Sequence, residues 1–127
     1  MIVFDEDVLT ILVQGNKVSE GVVNLLQTNE AVLLSGRSEK RPNDNTVFTD
    51  RRIIVTEGKD LLNMKQTVTV IPYHSIQVFS YGLGSGIELV PEAQMDILLA
   101  SGKKLSIKIK GTKDLGRVTE AINRVIL

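Results

Sequence analysis

The sequence predicts a mainly β protein of the α+β class, in which seven antiparallel strands form a partly open barrel or roll that a C-terminal helix closes. Three observations lead to this prediction. Short runs of β-branched and apolar residues alternate with polar ones between residues 29 and 111. Loops rich in Gly, Pro, Asn and Asp separate these runs. Residues 112–127 carry apolar side chains at helical spacing.

Residues 1–28 are predicted to form an extension of one or two short helices. If residues 2–13 are helical, Asp5 caps the helix, and a strand over Val8–Val13 is the alternative that so short a run leaves open. The apolar positions that would share one helical face are Phe4, Val8, Ile11 and Leu12.

A second amphipathic helix is predicted from Lys17, with Asn16 as its N-cap. Gly21 weakens this helix by roughly 1 kcal/mol relative to Ala, so it requires packing partners. Its apolar stripe consists of Val18, Val22, Leu25 and Leu26.

Seven strands are predicted after residue 28, because from there apolar residues recur at every second position. They are predicted at Ala31–Ser35, Thr46–Thr49, Arg52–Thr56, Thr67–Ile71, Gln77–Tyr81, Met95–Ala100 and Lys104–Ile109. Asp50-Arg51 and Ser101-Gly102 are short turns of the kind that join hairpins. Pro72 cannot donate to a ladder, so the fourth strand ends there or lies at an edge.

The chain ends in a predicted helix from Lys113 to Ile126, capped by Thr112. Its apolar stripe is Leu115, Val118, Ile122 and Val125. A small barrel has an open end, and this stripe must be buried, so laying the helix across that end satisfies both requirements. The predicted organisation is one domain with a helical extension (1–28), a β-roll (29–111) and a capping helix (112–127).

The amino-acid composition argues against several classes of function. With 127 residues and 43% apolar content the chain can bury one core. Lys plus Arg and Asp plus Glu both total 15, so the chain lacks the cationic field typical of nucleic-acid binders. The absence of cysteine excludes disulfides and thiolate metal sites. The acidic N-terminus is unlike a signal peptide and no apolar run is long enough to cross a bilayer, so we expect a cytoplasmic protein.

Two blocks carry a family resemblance: VFTDRRIIV, and IPYHSI followed by QVFSYG. With the terminal amphipathic helix, they resemble the bacterial pleckstrin homology (PH) domains over roughly residues 29–127. The matching positions are Phe48, Thr49, Arg52, Ile71, Pro72, Tyr73 and Ile76. The resemblance implies the PH superfold and no catalysis, and some family members look like ring-forming homo-oligomers. Where the family usually has an acidic segment, this chain has the glycine-rich Gly82–Gly86.

No catalytic, metal or cofactor constellation is recognisable, so we expect no enzyme and no cofactor. His74 and Ser75 are neighbours without an acid to orient the imidazole, which favours a turn over a catalytic pair. Asp5–Asp7 is better explained as a solvated helix start than as a cation site. Gly82–Gly86 precedes an acidic, proline-broken segment rather than a helix, so it is a loop and not a phosphate cradle.

Two surfaces remain as binding candidates. The first is a subunit interface formed by Phe4, Val8, Ile11 and Leu12, since large apolar patches mark interaction sites. The alternative is that the N-terminal helices pack on the outside of a sheet within the same chain. The second is an anion or lipid contact formed by Arg51, Arg52, Lys104, Lys108 and Lys110, although strand lysines also guard edges. We therefore expect a non-enzymatic PH-like binding or scaffold module that forms homo-oligomers. The alternative is a peripheral module that binds anionic lipid head groups, and another protein is a further partner class.

Overall fold

The computed structural model describes residues 9–15, 18–38, 44–58, 66–83, 92–110 and 115–126, with the backbone alone at 9–14, 83 and 92. The order of elements is β1 (Leu9–Gly15), α1 (Glu20–Val23), β2 (Val32–Ser38), β3 (Asn45–Thr49), β4 (Arg52–Glu57), β5 (Thr67–Pro72), a 3₁₀ corner turn (Tyr73–Ser75), β6 (Ile76–Leu83), β7 (Glu92–Leu99), β8 (Lys104–Lys110) and α2 (Leu115–Ile126). The mainly β class with a C-terminal helix is confirmed. All seven predicted strands are present, as β2 to β8.

The described strands form one hydrogen-bonded sheet in the order β5-β4-β3-β2-β1-β8-β7-β6. Neighbours are antiparallel except β1 and β8, which are parallel. β5 and β6 lie at opposite ends of this order, yet only the three residues of the corner turn separate them in sequence. The sheet must therefore curl back on itself, which makes a partly open roll with β5 and β6 as its two edges.

The main core fills the inside of the roll, and strand alternation explains which residues reach it. In β8, Leu105, Ile107 and Ile109 are buried, while the residues between them are less so. This is the arrangement that the sequence predicts, because successive side chains of a strand point to opposite faces. The largest side chains of this core that are fully buried include Tyr73 and Phe48.

Helix α2 closes the roll as expected. Leu115, Val118 and Ile122 of its stripe are buried in the main core, whereas Val125 is 41% exposed. The helix contacts the corner turn and β2. The predicted cap at Thr112 lies outside the described residues.

The helical prediction for the N-terminal extension is wrong over residues 9–15, where the strand alternative is right. β1 inserts between β2 and β8 and pairs with both, so it belongs to the sheet and the division at residue 28 does not separate an extension from the roll. The physical reason is that a strand paired on both sides is often a short, continuous apolar run, and periodicity does not distinguish such a run from a helix. That the whole chain is one domain stays a prediction.

The second predicted helix exists but is shorter. It begins at Glu20 with Ser19, not Asn16, as its N-cap, and it ends at Val23. Val22 is buried on the outer face of the sheet against Val47 and Ile54, which form a second, smaller apolar cluster. These contacts are the packing partners that such a short helix requires.

Candidate functional site

The tip of the β3–β4 hairpin is fixed by one hydroxyl. The Thr49 Oγ1 atom accepts hydrogen bonds from the backbone N–H groups of Arg51 (3.0 Å) and Arg52 (3.1 Å). Asp50 then ties the tip to the segment before β2, because its carboxylate accepts from the Ala31 N–H (3.1 Å) and its own N–H donates to the Ala31 carbonyl (3.0 Å). The predicted Asp50-Arg51 turn is confirmed, and its geometry is set by side-chain hydrogen bonds to the backbone.

Arg52 forms a two-bond ion pair with Glu30. The Arg52 Nε and Nη2 atoms donate to Glu30 Oε2 and Oε1, each at 2.9 Å. The same carboxylate also accepts from the Thr49 hydroxyl (2.7 Å) and the Gln27 N–H (3.0 Å). Arg52 Nη2 further donates to the Leu25 carbonyl at 2.8 Å. The side chain of Glu30 is fully buried and that of Arg52 is 17% exposed, so this pair is shielded from solvent.

The pKa values follow from these contacts. The hydrogen bond from Arg52 is the main reason that the pKa of Glu30 falls from 4.5 to about 2, and the opposing effect of burial is smaller. The same bond raises the pKa of Arg52. Glu30 is therefore a carboxylate, and Arg52 a cation, throughout the physiological range.

Arg51 and Tyr73 extend this set of contacts toward the corner turn. Arg51 Nη1 donates to Gln27 Oε1 (2.9 Å), and its carbonyl accepts from the Tyr73 N–H (3.2 Å). Tyr73 is fully buried, and its hydroxyl donates to the Thr49 carbonyl. Burial is the main cause that raises the pKa of this phenol. We call Gln27, Glu30, Thr49, Arg51, Arg52 and Tyr73 the hairpin-tip network.

The five basic residues predicted to contact an anion do not lie together. The ends of two hairpins lie beside the corner turn. The Tyr73 N–H donates to the Arg51 carbonyl of the β3–β4 hairpin, and the Ala100 N–H of the β7–β8 hairpin donates to the Ser75 carbonyl (2.8 Å). Lys104 begins β8 beside the second of these ends and is exposed, so it shares this end of the roll with Arg51. The half-buried Lys108 and Lys110 lie farther along the strand, and six residues of strand span roughly 20 Å. One head group would not reach all five.

The corner turn carries no catalytic pair. His74 is exposed, and the Ser75 hydroxyl donates to the Pro72 carbonyl at 2.7 Å. Across the described residues, no group of three or more His, Cys, Asp or Glu side chains is placed to hold a metal ion. Asp5–Asp7 and Gly84–Gly86 lie outside those residues.

The structure describes only part of the predicted subunit interface. Phe4 and Val8 lie outside the described residues, as do the side chains of Ile11 and Leu12. The backbones of Ile11 and Leu12 lie in β1, opposite Lys108 and Ile109 of β8. β1 pairs with β8 over Leu9–Val13 and with β2 over Leu12–Gly15, so its middle residues have a partner strand on each side.

Comparison with known families and structures identifies the fold independently. The family model described as "Bacterial PH domain" matches residues 3–126. The chain belongs to the bacterial PH domain family. No curated protein sequence matches it.

Solved structures of bacterial PH domain proteins agree with this assignment. A pleckstrin-homology domain protein from Shewanella loihica has a TM-score of 0.64 and 19% identity, and the match covers 93% of this chain and 99% of that one. A pleckstrin homology domain from Shewanella amazonensis gives 0.52 and 21%, with 84% and 83% covered. A PH domain protein from Exiguobacterium sibiricum gives 0.57 and 16%, with 91% and 62% covered. At these identities the likeness concerns the fold alone.

The motif residues of this bacterial PH domain maintain the fold. Phe48 and Ile71 are buried in the main core, Thr49 fixes the turn and Arg52 pairs with Glu30. Within the described parts of the chain, no helix is long and apolar enough to span a membrane.

Sequence reasoning missed Glu30, the partner that decides the role of Arg52. Glu30 lies in a polar segment between α1 and β2, 22 residues before Arg52. In the structure, the backbone of Asn29 adopts a positive φ of 65° and ends the turn before β2. In the sequence, the only signal of Glu30 is that it is an acidic residue beside Asn29. Such a signal does not reveal a partner in another hairpin.

The ion pair predicts how stability changes in acid. Because the pKa of Glu30 is about 2 in the folded protein and its ordinary value is 4.5, the unfolded chain binds the proton more readily. The contribution of Glu30 is therefore fully present above about pH 4.5 and is lost as the pH falls toward 2. Urea unfolding across this window should show a smaller loss of stability for Glu30→Gln than for the wild type. Equal pH slopes in the two proteins would contradict this assignment.

Proposed function

We propose that this bacterial PH domain is a non-enzymatic binding or scaffold module that associates with further copies of itself. The observation that supports self-association most strongly is a stretch without charge. Residues 66–87 contain no Asp, Glu, Lys or Arg, although charged residues make up 24% of the chain. This stretch includes both edge strands of the sheet, β5 and β6.

Edge strands without charge favour association, because an edge presents unpaired N–H and C=O groups that another strand can bind. Proteins that remain monomeric usually protect such edges with lysines, inward charges or bulges. Here the edges also carry exposed apolar side chains, namely Val68, Val70, Val78 and Tyr81. The net charge of zero adds no long-range repulsion between copies.

The proposal that the protein is not an enzyme is supported by the surroundings of His74 and Ser75. His74 is exposed, no acid among the described residues orients its imidazole, and the Ser75 hydroxyl donates to the Pro72 carbonyl. Neither residue is arranged as a nucleophile or a base. The cytoplasmic location stays a prediction from the sequence.

The lipid alternative has weaker support. Arg52 is already paired with Glu30, and the lysines of β8 are spread along the strand. Binding through such positions would depend on Arg51 and Lys104, each worth about 1 kcal/mol near an anionic surface. Sedimentation with phosphatidylserine vesicles at low salt tests it, and pelleting that disappears at physiological salt would favour it over the scaffold.

Light scattering coupled to gel filtration tests self-association directly. At tens of micromolar we expect a mass that is a multiple of the 14.0 kDa chain. We also expect this mass to persist at high salt, because the proposed contacts are apolar and uncharged. A clean monomer at every concentration would refute the scaffold proposal.

A further inference from the structure

The outer face of the sheet is covered by a described element on one half only. On β3 and β4, Val22 of α1 packs against Val47 and Ile54. On β6, β7 and β8 no described helix packs in this way, because the main contacts of α1 are with β4 and those of α2 are with β2 and the corner turn. Val78, on this second half, is 54% exposed. This half of the outer face can therefore accept a further segment.

A groove of about 350 Å³ lies on this half of the sheet. Ile97 and Leu105 beneath it are buried in the main core, so the side chains that alternate with them point outward. Directly paired residues share a face, and the strand registers therefore arrange the outward side chains in two rows across β6, β7 and β8. The rows are Val78, Leu98 and Lys104, and Ser80, Asp96 and Ser106.

The first row is apolar at one end and cationic at the other. Val78 and the half-buried Leu98 form the apolar end. Lys104 forms the cationic end, with Lys103 immediately before it, and both lysines are exposed. Neither ammonium group has a hydrogen bond or an ion pair with another residue in the described parts of the chain. This row suits a ligand in which an apolar part is joined to an anionic part.

The second row does not oppose such a ligand. Asp96 is the one acid of the groove lining, and it lies beside the apolar row rather than in it. The Ser106 hydroxyl donates to Asp96 Oδ1 at 2.6 Å, and the Gln94 amide donates to the same atom at 3.4 Å. These donors offset part of the negative charge of the carboxylate.

The first seven residues of the chain combine the two chemical properties that the first row requires. Met1–Phe4 are all apolar, and Asp5–Asp7 are all acidic. They lie outside the described residues, but the point where they join the sheet is described. Leu9 begins β1 and pairs with Ser106, which lines the groove. The segment therefore joins the sheet at the groove itself.

We propose that residues 1–7 of the same chain occupy this groove as an N-terminal cover. Asp5–Asp7 lie against Lys103 and Lys104, and Met1–Phe4 lie across the apolar end of the row. Phe4 then packs within its own chain and not at a subunit interface. A partner that binds the outer face of β6–β8 has to displace this cover. The proposal concerns a face and not an edge of the sheet, so it does not depend on self-association.

The chain is long enough for this arrangement. β1 and β8 are parallel, and Lys104 lies two positions before Ser106, the partner of Leu9. Two residues before Leu9, a chain that continues beside β8 is level with Lys104. The distance from β8 to β6 is two strand spacings, about 10 Å, and four extended residues span about 13 Å. Residues 1–4 can thus cross from the lysines to Val78.

The other exposed apolar pair on the outer face does not suit the N-terminal cover. Val68 and Val70 belong to β5, which is four strands away from β1 in the order of the sheet. Residues 66–87 contain no Lys or Arg, so Asp5–Asp7 would find no counterion on that strand. Carboxylates are strongly solvated by water and gain nothing from contact with an apolar surface. The charge pattern therefore favours the groove on β6–β8.

A tryptophan at position 4 tests whether the cover is bound. The chain has no tryptophan, so Phe4→Trp provides a single emission. We expect this emission at a shorter wavelength than that of N-acetyltryptophanamide, because the indole lies against apolar side chains. Adding Leu98→Lys should shift it to the value of that reference compound, as should adding Lys103→Glu with Lys104→Glu. Adding Val68→Lys is the matched control and should leave it unchanged, because Val68 is exposed (39%) but lies on β5.

A disulfide test distinguishes the chain's own segment from that of a second copy and does not depend on the lysine variants. The chain has no cysteine, so Phe4→Cys with Val78→Cys introduces the only two thiols. Under mild oxidation we expect an intramolecular disulfide that forms at a rate independent of protein concentration. It should form several times faster than in the control that combines Phe4→Cys with Val70→Cys, because Val70 is also exposed but lies on β5.

The outcomes separate the possible occupants of the groove. If Phe4→Trp emits like the reference compound and the Val78→Cys pair oxidises no faster than its control, the cover is refuted and the groove is open to a separate ligand. A disulfide-linked dimer whose rate of formation rises with concentration overturns the assignment to the same chain. The mass of the wild type by light scattering tests self-association separately, so either proposal can fail alone. Circular dichroism of each variant establishes that it is folded.

Discussion

Replacing Arg52 by alanine is expected to lower the free energy of unfolding by about 1.5–3 kcal/mol, the usual contribution of hydrogen bonds to a charged group. The variant would remove the guanidinium that contacts both oxygens of Glu30 and leave that carboxylate with only the Thr49 hydroxyl and the Gln27 N–H as partners. A buried charge without its counterion is costly because water no longer solvates it. Urea unfolding followed by circular dichroism measures the effect.

Arg51→Ala is the matched control for this prediction. Arg51 is the neighbouring residue of the same type, but its side chain is 42% exposed and its nearest carboxylate, Asp50, is 3.9 Å away. Exposed pairs of this kind contribute about 0–1 kcal/mol. A double-mutant cycle with Glu30→Ala isolates the coupling between Glu30 and Arg52. If Arg52→Ala were no more destabilising than Arg51→Ala, the ion pair would not be the contact that holds the hairpin tip.

This contrast bears on how basic residues near hairpin tips are interpreted. From the sequence, Asp50-Arg51-Arg52 is a pair of adjacent cations at the end of a hairpin, which suggests an anion site. In the structure, Arg52 points back to the segment before β2 and pairs with Glu30, while Arg51 contacts Gln27. The basic motif thus joins two segments of the fold, and only Arg51 retains substantial exposure. Counting basic residues in sequence overestimates the charge available to a ligand whenever a buried acid lies nearby.

The strands and the capping helix could be predicted because their signals are local. In β8, apolar and polar residues alternate without interruption, and α2 carries its stripe at spacings of three and four. These periods follow from backbone geometry, so no knowledge of neighbouring elements is needed. The boundaries of α1 were less predictable, because its four residues depend on contacts with β3 and β4.

β1 and the hairpin-tip network were not predictable for a different reason. Whether residues 9–15 form a helix or a strand is decided by β2 and β8, which lie far along the chain and provide the pairing for both edges of β1. Likewise, the role of Arg52 is decided by Glu30 in another segment. Free edges share this property, since the sequence predicts β5 and β6 as strands but only the order of the sheet shows that each has a single neighbour among the described strands.

Replacing Ile122 by alanine is expected to destabilise the protein by about 2–5 kcal/mol, the usual effect of truncating a fully buried Ile or Leu side chain. Ile122 lies at the middle of the α2 stripe, has no exposed surface and packs in the main core with residues from the inside of the roll. The loss of its side chain would leave a cavity between helix and sheet. Equilibrium unfolding in urea measures the change, and an unchanged slope would show that the folded state remains as compact.

Substitution of the neighbouring Asn123 is the matched control, because Asn123 does not lie on the face of α2 that packs on the roll. Asn123 is exposed, so Asn123→Ala should change stability by no more than about 0.5 kcal/mol. Both variants place alanine in the same turn of the helix, so a difference in helix propensity contributes little to the contrast. If α2 packed loosely on the roll, the two variants would be nearly equal in stability. A large difference between them instead requires that the helix closes the core, because only then does the Ile122 side chain leave water when the chain folds.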